Sequence, residues 1–206
     1  MELFYLHHRF SSDLDFFSSN FNEKEIESIT SEFKKQRGMK VRLISEMILP
    51  GRARVKFFSV KCVGTVKELK IDFVEDVLSK NPNIKHFSGV PVYSAQDLYY
   101  QKISTIAGAG VAYDETGREL ASGRNQARDA FDVYCLSRQI MPLSVFLKKL
   151  PPRFQRGMVS WHQSFSRQDL KLSLLDLDIY DKNFDSREMI SYLDGEIKEF
   201  MKGVLQ

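Results

Sequence analysis

Two aspartates near the start of the chain have a spacing that suits metal binding. Asp13 and Asp15 flank Leu14 in an otherwise apolar run that is typical of a buried strand. Because side chains alternate along a strand, the two carboxylates point to one side and Leu14 to the other. Aspartate is depleted in strands and a buried, unpaired carboxylate is costly, so we expect a divalent cation that prefers oxygen ligands. The alternative is an ordinary turn or strand end.

A third aspartate lies in a later predicted strand. Asp72 stands between Ile71 and Phe73, which belong to the apolar face of that strand, so Asp72 faces the opposite way. Three carboxylates from two strands of one sheet suit a pair of Mg²⁺ ions that act in an in-line displacement at phosphorus. Asp13 and Asp15 would bridge the ions, and Asp72 would complete the one that activates the acceptor hydroxyl. The alternative is an exposed strand face without a chemical role.

Charged residues on two predicted helices are further candidates. A lysine is needed near the carboxylates to bind a triphosphate, and Lys102 is the candidate. Helical spacing puts Asp129 and Asp132 on one face, with Arg128 one turn from Asp132. The alternative for this group is an ion-pair cluster on a helix surface, which contributes little stability.

A mixed α+β fold is expected to position these residues. The N-terminal residues 1–9 are predicted to be the last turns of a helix, with basic His7, His8 and Arg9 at the negative end of its dipole. The predicted elements follow from apolar spacing, from a Ser94–Asp97 capping box and from the positions of Gly and Pro. Helices are predicted at about 23–37, 94–107, 124–134, 143–150 and from 186, and strands at 40–49, 53–62 and 66–75. The fold class is therefore α+β: a small mixed or antiparallel sheet flanked by helices, in residues 1–93, followed by a helical C-terminal domain in residues 94–206.

The composition is that of an ordinary globular protein. Of 206 residues, 43% are hydrophobic and 28% charged. No apolar run approaches the ~20 residues that a membrane helix needs, and no signal-peptide pattern is found. No membrane partner is therefore expected. Cys62 and Cys135 fit neither metal-binding nor redox spacing, which favours a reducing cytoplasm.

The charges are unevenly distributed along the chain. Residues 34–70 contain eleven Lys or Arg and two acids, and residues 133–168 contain six Lys or Arg and no acid. Such stretches suit a polyanionic partner, and a solvated basic face is the equal alternative. Trp161, with Phe154, Phe165 and nearby arginines, suggests either an RNA-stacking surface or ordinary helix packing.

Four motifs in this order resemble the AbiEii-type nucleotidyltransferases. They are His-Arg-x-Ser-x-Asp-Leu-Asp-Phe-Phe from His8, Lys-Ile-Asp-Phe from Lys70, Val-Tyr-Ser-x-x-Asp-Leu-x-x-x-Lys from Val92, and Arg-Asp-x-Phe-Asp-Val-Tyr from Arg128. That family comprises toxins of toxin–antitoxin and phage-defence systems, within the DNA polymerase β-like superfamily. The resemblance covers about residues 2–150, and beyond them it extends only to helical character.

The resemblance implies roles for individual residues. Asp13 and Asp15 match the metal-binding pair, Asp72 the third carboxylate, and Lys102 the nucleotide-contacting lysine. The family's helical Arg-Asp motif falls on Arg128, Asp129 and Asp132, with Asp129 as a catalytic residue. Ser11, Ser12, Arg128 and Asp132 would contact the nucleotide. Mg²⁺, an NTP, an RNA such as tRNA and a cognate antitoxin are the implied cofactor, substrate and partners.

One departure from the family pattern leaves two functions open. The family has a Gly-Gly or Gly-Ser turn before the Asp-x-Asp strand, where backbone N–H groups bind phosphate, and no Gly precedes Gly38 here. The first function is a Mg²⁺-dependent transferase that moves NMP from an NTP to an RNA 3′ end or a protein hydroxyl. The second is a degenerate member that binds nucleic acid or a partner protein without catalysis.

Overall fold

The chain forms two compact units. The structure, a computed structural model, describes residues 1–11, 13–36, 39–48, 53–62, 64, 68–79, 81–108, 112–113, 115–116, 119–120 and 123–204. The sheet unit is Ser11–Pro82, and the helical unit is Met1–Phe10 together with Asn83–Gln206. The domain division at residue 93 stays a prediction.

A four-stranded mixed sheet dominates the sheet unit. Its strands are β1 (Asp13–Ser18), β2 (Met39–Met47), β3 (Val55–Cys62) and β4 (Leu69–Glu75), and helix α1 is Glu23–Lys35. The spatial order is β1-β4-β3-β2, with β1 parallel to β4 and the other neighbours antiparallel. A parallel pair needs a crossover connection, and the chain between β1 and β4 supplies it with α1, β2 and β3.

One face of this sheet is the core of the unit. Val60, Ile71 and Phe73 are buried there against Ile26 of α1. The helix begins after Asn22, whose side chain accepts hydrogen bonds from the backbone N–H groups of residues 24 and 25, the usual role of an N-cap residue. Because successive strand residues alternate, the residues between these core positions lie on the opposite face.

The helical unit consists mainly of packed helices. Its elements are β5 (Ile84–Phe87), β6 (Val90–Tyr93), α2 (Ala95–Ala107), β7 (Ala112–Tyr113), β8 (Glu119–Leu120), α3 (Ala127–Gln139), α4 (Leu143–Leu147), α5 (Pro152–Ser164), α6 (Arg167–Leu174) and α7 (Ser186–Val204). A π-helical turn, Glu2–Leu6, precedes them. Strands β5 and β6 form an antiparallel hairpin, in a segment where the sequence predicts no strand.

A close helix contact holds the core of the helical unit together. A Cβ atom added to Gly157 of α5 would lie 2.6 Å from Cβ of Ala107 in α2, so the missing side chain lets the two helices approach. Phe154, Trp161 and Phe165 are all 5% exposed or less. The RNA-stacking surface considered for them is therefore wrong, because their rings belong to the core rather than to a surface that bases can reach.

The α+β fold class is confirmed. The predicted strands and principal helices are present with small shifts of their ends. The N-terminal prediction needs correction, because residues 2–6 form a π-helical turn and the backbone then reverses with a positive φ of 45° at His7. Among the described helices, none is both long and apolar enough to span a membrane.

Candidate active site

The three candidate strand carboxylates share one face of the sheet. In the parallel pair of β1 and β4, Asp15 is the Cα partner of Asp72, and Asp13 is the partner of Lys70. Paired residues of a ladder point to the same side, and residues two apart along a strand do so as well. Asp13, Asp15 and Asp72 therefore lie on one face, on two adjacent strands.

Their neighbours confirm which face this is. Leu14, Ile71 and Phe73 alternate with the aspartates and pack into the core of the sheet unit. Asp15 is exposed, and Asp13 and Asp72 are half-buried. The carboxylates are therefore on the face opposite the core, where solvent and ligands reach them.

The donor set suits a hard divalent cation. Three carboxylates supply only oxygen atoms, which are the ligands that Mg²⁺ prefers. Adjacent strands lie about 4.8 Å apart, which is close enough for Asp15 and Asp72 to share an ion. Within the described part of the chain, no three His, Cys, Asp or Glu side chains are already grouped around a common point. The role of Asp13, Asp15 and Asp72 as metal ligands therefore stays a prediction.

The serines proposed to contact the nucleotide lie just before β1. The hydroxyl of Ser11 accepts a hydrogen bond from the backbone N–H of Asp13 at 3.4 Å. This bond shapes the entry to the strand that carries the first two carboxylates. Ser12 lies outside the described residues, so its predicted role has no structural counterpart here.

The helical unit contains a second group of charged side chains, centred on Asp129 and Asp132 of α3. Both aspartates are fully buried. Lys102 Nζ of α2 lies 3.1 Å from Oδ1 of Asp129 and 2.8 Å from Oδ2 of Asp132. Arg124 donates from Nε and Nη2 to the two oxygens of Asp129, at 2.8 and 3.0 Å. The surface ion-pair alternative is thus wrong, because α3 turns these carboxylates inward.

Asp132 has further partners from the N-terminal segment. Arg9 donates to it through Nε at 2.8 Å and Nη2 at 2.9 Å, and Nε2 of His8 lies 2.7 Å from Oδ1. Burial acts to raise the pKa of Asp132, but Lys102, His8 and Arg9 outweigh it and hold that pKa well below its usual range. Asp132 is therefore an anion stabilised by Lys102 of α2 and by His8 and Arg9 of the N-terminal segment.

Backbone pairing fixes the position of Arg9. The residue forms an antiparallel bridge with Ile179. On either side of it, the N–H of Phe10 donates to the carbonyl of Asp178 at 2.8 Å, and the N–H of Tyr180 donates to the carbonyl of His8 at 3.1 Å. The predicted role of His8 and Arg9 at a helix end is therefore corrected, since they are held by this bridge and directed at Asp132.

Sequence reasoning missed three members of this group. Arg9 and His8 stand in the quoted N-terminal motif, but their partner is more than a hundred residues away, and no local pattern indicates it. Arg124 lies five residues before Asp129, in a polar segment without helical periodicity. Arg128, which was predicted to contact the nucleotide, donates from Nε to the side-chain oxygen of Gln126 at 2.9 Å.

The charge group suits the binding of an anion. Three permanent cations, Arg9, Lys102 and Arg124, pair with two carboxylates, so positive charge is in excess. The side chain of Lys102 is 24% exposed and that of Arg124 is 42% exposed, whereas both carboxylates are fully buried. The accessible edge of the group is thus cationic, and the buried aspartates hold the cations in place.

Comparisons with known proteins give one family model and two similar crystal structures. A family model described as the nucleotidyl transferase AbiEii toxin of a type IV toxin–antitoxin system matches residues 1–204, a longer stretch than the sequence resemblance covers. A crystal structure of a candidate nucleotidyltransferase from H. pylori is similar, with a TM-score of 0.58 and 15% identity over 98% of this chain and 82% of that chain. The crystal structure of JHP933 from Helicobacter pylori is also similar, with a TM-score of 0.56 and 15% identity over 97% of this chain and 79% of that chain.

The likeness to the two crystal structures concerns the fold, whereas the family model concerns the sequence itself. Among curated proteins, no significant match was found. The match of the family model extends over both units of the chain and includes every residue discussed above. The chain therefore belongs to the AbiEii family of type IV toxin–antitoxin systems, and it is a nucleotidyltransferase.

Proposed function

We propose that this protein is a Mg²⁺-dependent transferase that moves a nucleoside monophosphate from an NTP to an acceptor hydroxyl. The acceptor is an RNA 3′ end such as that of tRNA, or a hydroxyl of a protein. The new bond joins the acceptor oxygen to the α-phosphorus, and the bond from that phosphorus to the leaving pyrophosphate breaks. Family membership supports the reaction class, and the residues below support its details.

The pairing of Asp15 with Asp72 is the observation that carries the proposal. Their strands are parallel and adjacent, Asp13 stands two residues away on the same face, and core residues occupy the other face. Like charges placed opposite each other destabilise a sheet, and a bound cation would offset this cost for Asp15 and Asp72. Mg²⁺ bound by these carboxylates would activate the attacking oxygen and neutralise charge on the leaving pyrophosphate.

Lys102 is the lysine proposed to contact the nucleotide. Lys102 would contact the phosphate oxygens while Asp129 and Asp132 keep its ammonium group in position. Ser11, Ser12 and Arg128 are further proposed nucleotide contacts, although Ser12 lies outside the described residues.

A cytoplasmic toxin that is controlled by a cognate antitoxin is the setting proposed for this activity. The family description names a type IV toxin–antitoxin system. Nucleotides and RNA are both available in the cytoplasm, and the two widely separated cysteines fit a reducing compartment.

The proposal is tested by label transfer from α-³²P-labelled NTPs. Each NTP is incubated with Mg²⁺, total tRNA and a cell extract that supplies protein acceptors, using the wild-type chain, Asp15→Asn and Glu27→Gln. Glu27 is an exposed acid of α1 and is the matched control. We expect transfer by the wild type and by Glu27→Gln, and no transfer by Asp15→Asn.

Two results would contradict the proposal. The first is undiminished transfer by Asp15→Asn. The second is the absence of both transfer and calorimetric binding of Mg²⁺–NTP, together with retained affinity for RNA. The second result would identify a non-catalytic nucleic-acid-binding member of the family.

A further inference from the structure

Lys102 lies between two arginine–aspartate pairs in the helical unit. Arg9 donates through Nε and Nη2 to the two oxygens of Asp132, and Arg124 donates through the same two groups to the two oxygens of Asp129. Nζ of Lys102 lies 2.8 Å from Asp132 and 3.1 Å from Asp129. Each carboxylate therefore has an arginine of its own, and the lysine is shared between them.

The charge balance of this group depends on the two arginines. Each arginine–aspartate pair contains one positive and one negative charge, so the ammonium charge of Lys102 is left over. An ammonium group has three N–H donors, of which two are sufficient for the two carboxylates. The side chain of Lys102 is also 24% exposed. The lysine therefore keeps both a charge and a donor for an anion from solution.

The guanidinium of Arg9 is in no position to contact such an anion itself. Its side chain is 10% exposed, compared with 42% for Arg124. Its backbone is held by the antiparallel bridge with Ile179. Nη1 donates to the carbonyl of Phe10 at 3.1 Å, while Nε and Nη2 donate to Asp132. All three guanidinium nitrogens thus have acceptors within the protein, so Arg9 can act on a ligand only through Asp132.

Loss of Arg9 would change what Asp132 requires of Lys102. Nη2 of Arg9 and Nζ of Lys102 both approach Oδ2 of this aspartate, at 2.9 and 2.8 Å. A buried carboxylate without a counter-charge is costly. Without Arg9, Lys102 is the remaining permanent cation among the described contacts of Asp132, since His8 at Oδ1 can be neutral. The ammonium charge would then compensate Asp132 and would no longer be in excess.

We infer that Arg9 is a positioning residue for Lys102: it neutralises Asp132 and thereby leaves the ammonium charge of the lysine available for the phosphates of the nucleotide. The inference rests on the proposed function, in which Lys102 contacts the nucleotide. Arg9, Lys102 and Asp132 belong to the first, third and fourth motifs of the sequence. The role of the first motif is thereby extended from the aspartates of β1 to the charge group of the helical unit.

Two compensating substitutions test the inference. Arg9→Gln removes the cation and leaves Asp132 charged, whereas Arg9→Gln/Asp132→Asn removes both charges of the pair. Calorimetry measures the binding of inorganic tripolyphosphate in the presence of Mg²⁺, with Lys102→Met as the reference for a lost lysine. Arg167→Gln is the matched control, because Arg167 pairs with Asp194 elsewhere in the same unit.

Arg9→Gln is expected to bind tripolyphosphate at least about tenfold more weakly than the wild type, which corresponds to roughly 1.4 kcal/mol. Its affinity should approach that of Lys102→Met. The double variant should bind more tightly than Arg9→Gln, because the lysine no longer has to compensate a charge at position 132. Arg167→Gln should bind as the wild type does. A purely structural role of Arg9 predicts no recovery, since the double variant restores none of the lost bonds of the guanidinium.

Three results would overturn the inference. They are wild-type affinity in a folded Arg9→Gln, no recovery in a folded double variant, and no binding of tripolyphosphate by the wild type. Thermal unfolding identifies the variants that fold. If Arg9→Gln does not fold, the double variant decides alone: tighter binding than that of Lys102→Met supports the inference, and equal or weaker binding overturns it.

Label transfer separates this inference from the proposed function. Transfer by the wild type, together with equal tripolyphosphate affinity of the wild type and Arg9→Gln, would overturn the inference and leave the transferase function intact. The expected order of affinities without transfer to any acceptor would support the role of Arg9 and contradict the transferase function.

Discussion

Arg9 and Asp132 form a two-point ion pair although 123 residues separate them. Nε and Nη2 of Arg9 lie 2.8 and 2.9 Å from the two carboxylate oxygens of Asp132, whose side chain is fully buried. Such fork geometry is specific to arginine, because lysine offers a single point charge. The pair fastens the N-terminal segment to α3, within the helical unit.

Loss of the Asp132 charge should destabilise the helical unit strongly. Asp132→Asn leaves Arg9 without its buried counter-charge and Lys102 with Asp129 alone, and we expect a loss of about 3–5 kcal/mol in the free energy of unfolding. The control is Glu188→Gln, which removes an exposed pair with Arg138 and should cost less than about 1 kcal/mol. Urea unfolding measures both. Equal losses of unfolding free energy in the two variants would show that the buried ion pair stabilises the protein no more than the exposed one.

The cost of Asp132→Asn should depend on pH. The folded pKa of Asp132 lies below the unfolded value of about 3.9, so its ionised form contributes stability above that value. This contribution is lost as pH falls from about 4 toward the folded pKa. The difference in unfolding free energy between wild type and Asp132→Asn should therefore shrink as pH falls below about 4. A difference that grows on acidification would contradict this assignment.

Two helical glycines should respond to alanine in opposite ways. In Gly157→Ala the new methyl would lie 2.6 Å from Cβ and 2.8 Å from the carbonyl oxygen of Ala107, and such overpacking costs about 1–3 kcal/mol. In α7, an added Cβ at Gly195 meets no atom within 4 Å, so Gly195→Ala should gain roughly 0.5–1 kcal/mol from helix propensity. Thermal unfolding distinguishes the two, and stabilisation by Gly157→Ala would disprove the close approach of α2 and α5.

Lys102→Met should weaken NTP binding while the protein still folds. Each aspartate keeps an arginine partner, Asp129 with Arg124 and Asp132 with Arg9, so we expect a stability loss of about 1–3 kcal/mol. The KM for NTP should rise at least tenfold, which corresponds to about 1.4 kcal/mol. The exposed Arg138→Met is the control and should leave KM unchanged. An unaltered KM in Lys102→Met would assign the lysine a structural role only.

Removal of the metal ion should abolish label transfer, because the proposed metal ligands of the sheet unit would be left without their ion. We expect EDTA to stop label transfer and added Mg²⁺ to restore it in the wild type. Asp72→Asn should need a higher Mg²⁺ concentration for half-maximal activity and should lose at least a hundredfold in rate, about 2.7 kcal/mol of barrier. Glu25→Gln on α1 is the matched exposed control. Full activity of the wild type in EDTA would contradict the metal assignment.

The sequence by itself determined the features that depend on local periodicity. Alternation along β1 put Asp13 and Asp15 on one side of the strand, and the 3.6-residue repeat of α3 put Asp129 and Asp132 on one face. These rules involve residues a few positions apart, so they hold whatever the rest of the chain does. The α+β class followed from the same repeats together with the positions of Gly and Pro.

Only the tertiary structure decided which distant residues meet. The parallel register that pairs Asp15 with Asp72 depends on a crossover through β2 and β3. The inward orientation of Asp129 and Asp132 depends on the helices and the segment packed around α3. Periodicity cannot distinguish an exposed acidic helix face from a buried one, because both show the same spacing and differ only in partners supplied from elsewhere in the chain, here Arg9 and Lys102.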